Sequence, residues 1–123
     1  MELNLDFDSS KQMIKAYGPG FIQIGETRFT ESLRVSPAEV TPWEPRSIDS
    51  LDDSALEALL KDDPNVVILG TGKSQQIPPV EVIGFFAQRG IGFEFMDTPA
   101  ACRTYNILAG EGRRVVAGLI LET

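Results

Sequence analysis

Histidine is absent from this chain of 123 residues. That removes the commonest general base near neutral pH and the commonest metal ligand together. Cysteine occurs once, as Cys102. No disulfide can close within the chain, no zinc site of Cys and His ligands can be assembled from it, and a lone cysteine suits a reducing compartment. Basic residues are scarce: 11 Lys and Arg stand against 18 Asp and Glu, for a net charge of −7. Nucleic acid binding by phosphate neutralisation needs a basic face, so DNA and RNA are disfavoured as partners. No apolar run reaches the roughly 18 residues of a membrane-spanning helix. The opening "MELNLDFDSS" is acidic and has no continuous apolar stretch, unlike a signal peptide or an Arg-rich transit peptide. A cytoplasmic setting, bacterial or archaeal, is expected, with no membrane insertion.

What is present reads as one globular domain over residues 1–123. The hydrophobic share is 42% and the charged share 24%, enough to build a core without staples. The first half is strand and turn. Leu3–Phe7 alternates apolar and polar, and short strands are expected at Met13–Tyr17, Phe21–Ile24, Arg28–Phe29 and Leu33–Val35. Gly18-Pro19-Gly20 and Gly25-Glu26 supply turns between them. Pro37, Pro42 and Pro45 then forbid helix and favour an extended crossing segment, with Trp43 as its anchor to the core.

From Asp52 the rhythm changes to helix-strand alternation. Asp52 is the expected N-cap of a first helix with a Leu56, Leu59, Leu60 stripe, and Asp62-Asp63-Pro64 ends it as a solvated helix end. "VVILG" is a buried strand. Pro79 opens a second helix that closes at Gly90, and "IGFEFM" is a strand. Thr98 caps a third helix, and "RRVVAGLIL" is the final strand. This order predicts an α/β fold with helices on both faces of a central sheet. If the strands before them are parallel neighbours, the loops at Gly70 and Thr98 fall at the C-terminal sheet edge, where such folds tend to bind ligands.

"GTGKSQQIPP", from Gly70 to Pro79, looks like a phosphate loop and fails as one. A P-loop needs glycine where Val67 stands, and a dinucleotide fingerprint needs glycine where Gln75 stands. Two prolines, Pro78 and Pro79, also lack the N–H groups that would face phosphate. The glycines are read instead as a tight turn out of a buried strand. Thr71, Ser74, Gln75 and Gln76 leave polar side chains there for a ligand of another kind.

Cys102 sits near a helix start beside Arg103, two features that lower a thiol pKa. With no histidine as base, a papain-like mechanism is excluded and a buried structural cysteine is the favoured reading. Arg103 is read as a solvated surface arginine. On the second helix, Val80, Ile83, Gly84 and Ala87 make one apolar face, and Val82, Phe85 and Phe86 make another. One face covers a sheet; the surplus is either deep core or a surface for a partner or for self-association.

With these residues in hand, the chain resembles the Mth938-like family, a small family of domains of largely unknown function. Its members include the mitochondrial respiratory complex I assembly factor 3 and an adipogenesis-associated Mth938 domain-containing protein. The similarity rests on Gly70-Thr71-Gly72 with a glutamine shortly after, on Thr98, Ala101-Cys102 and Thr104-Tyr105-Asn106, and on Glu111-Gly112-Arg113-Arg114. A looser match is the crossing segment with Val35, Pro37, Val40 and Trp43. The resemblance implies a three-layer α/β fold: a central mixed sheet whose last strand runs antiparallel, plus a smaller N-terminal β layer. It implies no established enzymatic activity and no known cofactor, and it implies work through protein partners.

Two functions are therefore expected in competition. One is a non-catalytic protein-binding or assembly-factor-like module, with Ile83, Phe85 and Phe86 as the candidate partner surface. The other is a small-molecule-binding protein or enzyme using a cleft of Gly70, Thr71, Gly72, Gln75, Thr98 and Cys102.

Overall fold

Turn chemistry and alternation organise the first part of the chain. In the computed structural model, which describes residues 11–122, β1 (Ile14–Gly18), β2 (Phe21–Ile24) and β3 (Thr27–Phe29) form an antiparallel meander. The strand expected at Leu3–Phe7 lies outside the described residues. Ile22 and Ile24 point inward and are buried, with Phe21 and Gln23 between and before them only partly covered. Gly20 takes φ of +76° in the β1–β2 turn, a left-handed conformation that L side chains rarely adopt.

The proline-rich stretch runs extended, as its composition requires. It contributes β5 (Val40–Pro42), which pairs antiparallel with β4 (Leu33–Val35). β5 is an edge strand, the place where a proline costs no ladder hydrogen bond. Trp43 follows and is buried, its Nε1 donating to the Ala55 carbonyl at 3.1 Å. Its ring lies on the sheet at Gly118, where a Cβ would come within 2.7 Å of it.

Next come α1 (Asp53–Ala58), β6 (Val66–Gly70), α2 (Val80–Ala87), β7 (Gly92–Met96), α3 (Thr98–Gly110) and β8 (Val115–Leu119). Asp52 caps α1 as its position predicts, accepting from the Ala55 amide at 2.9 Å. The cap of α3 is a correction: Asp97 accepts from the Ala100 amide at 2.8 Å, and Thr98 is already helical. The α2 helix ends at Ala87, ahead of Gly90.

The main sheet has the order β5-β4-β8-β6-β7. It is mixed, and its last strand is antiparallel to one of its two neighbours. β8 is parallel to β6 and antiparallel only to β4, and β6 is parallel to β7. The three strands that alternate with helices thus share one direction, and the direction changes where β8 meets β4. Every residue of β6 and β8 is buried, as strands covered on both faces must be.

Two cores flank this sheet, giving the three layers. On one face α3 and the β1–β3 meander pack through Ala101, Cys102, Tyr105, Ile14, Ile22 and Ile24. On the other, α1, α2 and Trp43 pack through Leu56, Leu59, Val82 and Phe86. The meander therefore lies across the sheet from α2. Side chains of α3 tie it down: Asn106 accepts from the Ile14 amide at 2.9 Å and donates to the Ile14 carbonyl at 2.8 Å. The Tyr105 hydroxyl donates to the Gln12 carbonyl at 2.7 Å.

Asp62 and Asp63 are more than a solvated helix end. Both take positive φ, 73° and 49°. Arg34, 3% exposed on β4, donates at 2.7 Å to the carbonyls of Ala58 and Lys61. One is the carbonyl of the last residue of α1, and the other belongs to the turn that follows it. Arg34 also reaches Asp62 Oδ2 at 3.1 Å, and Ser36 Oγ donates to the same oxygen at 2.9 Å. Partial burial works against the Asp62 carboxylate, but these two hydrogen bonds and the charges of Arg34 and Lys61 outweigh it, so its pKa is lowered. A guanidinium this deeply buried needs an anion, and the turn after α1 delivers one.

Candidate functional site

β6, β7 and β8 end on one edge of the sheet, and the residues leaving them meet there. Gly70 has no room for a side chain: a Cβ would come within 2.8 Å of Thr98 Oγ1. That close approach lets Thr98 act as a bridge. Its hydroxyl donates to the Ile120 carbonyl at 2.7 Å and accepts from the Gly72 amide at 2.9 Å. Thr98 N in turn donates to the Gly72 carbonyl at 2.8 Å.

The glycine loop is braced internally too. Thr71, fully buried, donates through Oγ1 to the Ser74 carbonyl at 2.8 Å and accepts from the Gln76 amide at 3.1 Å. Glu122 folds over Gly72 and accepts from the Lys73 amide at 3.0 Å. Three loop amides that could face a phosphate, those of Gly72, Lys73 and Gln76, are thus bound to the protein's own oxygens. One of those oxygens carries a negative charge. The turn is built to join strand ends.

Beside it lies a cavity of about 400 Å³, within the size range of small-molecule sites. The loop wall is Gly72, Lys73 and Glu122, the floor is Ile120, Leu121, Thr98 and Pro99, and the far wall is the β1–β2 turn from Tyr17 to Ile22. Of the six cleft residues expected from sequence, only Gly72 and Thr98 line it. Gly70 and Thr71 support it from behind, Gln75 is exposed outside it, and Cys102 is buried in the core under α3. The meander wall was missed. Its signal is "YGPGF", a turn flanked by two aromatics, but nothing local says which strand end it faces.

Burial pushes the Cys102 thiol up to about 12, against the lowering pull of Arg103. Near neutral pH it holds its proton and offers no nucleophile. Arg103 is not a solvated arginine alone: its Nη1 donates to the Tyr17 hydroxyl at 2.9 Å, beside the cavity. Among the described residues, no group of three His, Cys, Asp or Glu is placed to hold a metal ion.

The second candidate surface is on α2. Phe86 leaves it: the ring is fully buried and stacks on Phe93 with centroids 4.9 Å apart. Ile83 and Phe85 are half-buried, and Arg89 lies over the Phe85 ring at 3.7 Å. The outward apolar residues are Val80, 73% exposed, and Ile77 in the preceding loop, 78% exposed. A groove of about 430 Å³ runs beside them between α1 and α2, with Asp53, Glu57 and Glu81 on it.

Comparison with known proteins assigns the family. The chain belongs to the family described as protein of unknown function (DUF498/DUF598), whose model matches residues 14–120. It is 34% identical over 107 residues to the "13 kDa major membrane protein" of Francisella tularensis subsp. holarctica, covering 85% of this chain and 84% of that one. It is 36% identical over 115 residues to the zebrafish (Danio rerio) NADH dehydrogenase (ubiquinone) 1 alpha subcomplex assembly factor 3, covering 91% of this chain but 66% of the relative. Among solved structures, a Bordetella pertussis protein described as a Mth938-like domain superposes with a TM-score of 0.81 at 30% identity, covering 98% of this chain and 92% of that one. The Mth938-like resemblance and the α/β fold hold. No helix among the described residues is long and apolar enough to cross a membrane.

Proposed function

We propose that this domain is a non-catalytic protein-binding module that works as an assembly factor does. The observation that carries this reading is the outward end of α2. Ile77 and Val80 are two large apolar side chains left open to solvent, next to a groove with three carboxylates. The meander cannot cover them, because it packs on the opposite face of the sheet. Relatives named as assembly factors support the same reading. A cytoplasmic location fits the lone reduced cysteine, and docking onto a membrane-bound complex would agree with the membrane name of the Francisella relative.

The test is affinity capture of the tagged protein, wild type against an Ile77→Asp/Val80→Asp double variant, with cross-link mapping. Loss of specific cross-links at α2 in a variant that keeps its circular dichroism spectrum is the expected result. A partner set and cross-link map indifferent to both substitutions would remove α2 as the interaction surface. The second reading, a small-molecule site, is favoured by one observation: the apolar cavity at the C-terminal ends of the three parallel strands.

A further inference from the structure

We infer that the cavity between the β1–β2 turn and the ends of β6, β7 and β8 takes a small amphipathic anion, an acyl or aryl chain carrying one carboxylate-like head. The inference rests on the small-molecule reading of that cavity and adds its chemical class.

The body of the ligand follows from the walls. Phe21, Ile22, Pro99, Ile120 and Leu121 make the lining largely apolar, which suits a hydrocarbon or ring. The head follows from the hydrogen-bond inventory on the meander wall. Tyr17 Oη accepts from Arg103 Nη1 at 2.9 Å, so its own proton remains to be donated. Arg103 keeps further N–H donors beyond the one spent on Tyr17. Pro99 and Arg103 stand four apart on α3 and so share a helix face, and the Tyr17 bond ties the guanidinium to a residue of the cavity wall.

Charge around the cavity runs against the rest of the molecule. The chain as a whole is at −7, yet Lys73 lines the cavity, Arg103 is bonded to Tyr17, and Arg28 lies 3.7 Å over the Phe21 ring. Two carboxylates stand near them: Glu122, held on the loop wall by the Lys73 amide at 3.0 Å, and Asp97, whose charge acts on Arg103 and whose Oδ1 is engaged by the Ala100 amide. An anionic head therefore belongs at the Tyr17–Arg103 end, where a charge-assisted pair of donors converges.

Octanoate and octan-1-ol, titrated separately into the full chain, test this by NMR amide shifts. Octanoate should shift Gly18, Gly20, Phe21, Ile22, Gly72, Lys73 and Leu121, and should bind more tightly than octanol. Arg103→Gln should weaken octanoate about tenfold and Tyr17→Phe severalfold, with octanol affinity unchanged. Arg103 is exposed, so its variant keeps the wild-type spectrum elsewhere. Equal binding of acid and alcohol, unaffected by Arg103→Gln, would overturn the anionic class while leaving the cavity as a ligand site. No shifts with either probe at millimolar concentration would remove both.

Discussion

Replacing Thr98 with valine removes one oxygen and keeps nearly the same shape. That oxygen joins two strand ends: it donates to the Ile120 carbonyl and accepts from the Gly72 amide, and Thr98 is 5% exposed. Valine leaves both partners buried without it. An unsatisfied buried donor costs about 1–3 kcal/mol, and a carbonyl with a second lone pair costs less. Together the loss should be about 2–4 kcal/mol, a large part of the 5–15 kcal/mol or so typical of a domain. At roughly 3–5 °C per kcal/mol for this size, Tm should fall by about 10 °C. Trp43, the one tryptophan, is buried, so urea unfolding can be followed by its fluorescence. Thr98→Ser keeps the oxygen and should recover most of the loss. If valine is as stable as wild type within about 0.5 kcal/mol, or serine is as harmful as valine, the bridge contributes nothing and the reasoning fails.

Further outcomes are expected at three places in the fold. Cys102→Ala should cost about 1–2 kcal/mol as a small packing defect, and native wild type should resist iodoacetamide at pH 7; fast labelling would contradict the burial. Because the folded thiol ionises near 12 and the unfolded one near 9.0, the unfolded state loses its proton first, so stability should decline as pH rises from about 9 to 12, with a shallower decline in Cys102→Ala. Arg34→Met should destabilise strongly, by about 3–5 kcal/mol, by stranding the Ala58 and Lys61 carbonyls and the Asp62 carboxylate. Since the Asp62 pKa is lowered in the fold, its contribution is present above its ordinary range near 3.8 and is lost as pH falls below it; Asp62→Asn should flatten that acid limb in pH-dependent urea melts. On α2, Phe86→Ala should cost about 3–5 kcal/mol and Val80→Ser less than about 0.5 kcal/mol; equal costs in thermal melts would mean the helix faces are assigned wrongly.

Local chemistry was legible in the sequence, and long-range chemistry was not. Asp52 announces its cap because the amide it takes is three residues on. The α2 helix announces two apolar faces, but only the sheet decides that Phe86 goes inward and Val80 outward. At the start of α3, Thr98 reads as the cap, but Gly72 and Ile120 claim its hydroxyl and Asp97 caps instead. Arg34 alternates with Leu33 and Val35 and so reads as an outward polar residue; its burial depends on acceptors more than 20 residues away. Gly70-Thr71-Gly72 was placed at the right sheet edge, yet Tyr17 to Ile22 and Ile120 to Glu122, most of the cavity wall, come from parts of the chain that only the fold brings together.

The position of β8 has a consequence for how the chain is made. Among the described residues it is the last strand in chain order, yet it lies third in a sheet of five and is the only link between the β4–β5 pair and the β6–β7 pair. Once β7 has been made and until β8 follows it, the growing chain holds two half-sheets with no strand between them. The facing edges belong to β4 and β6, whose residues are all buried in the finished molecule. Unpaired apolar edges of that kind recruit other strands. A chain that has made β6 but not yet β8 therefore carries two adhesive seams, and one segment closes both.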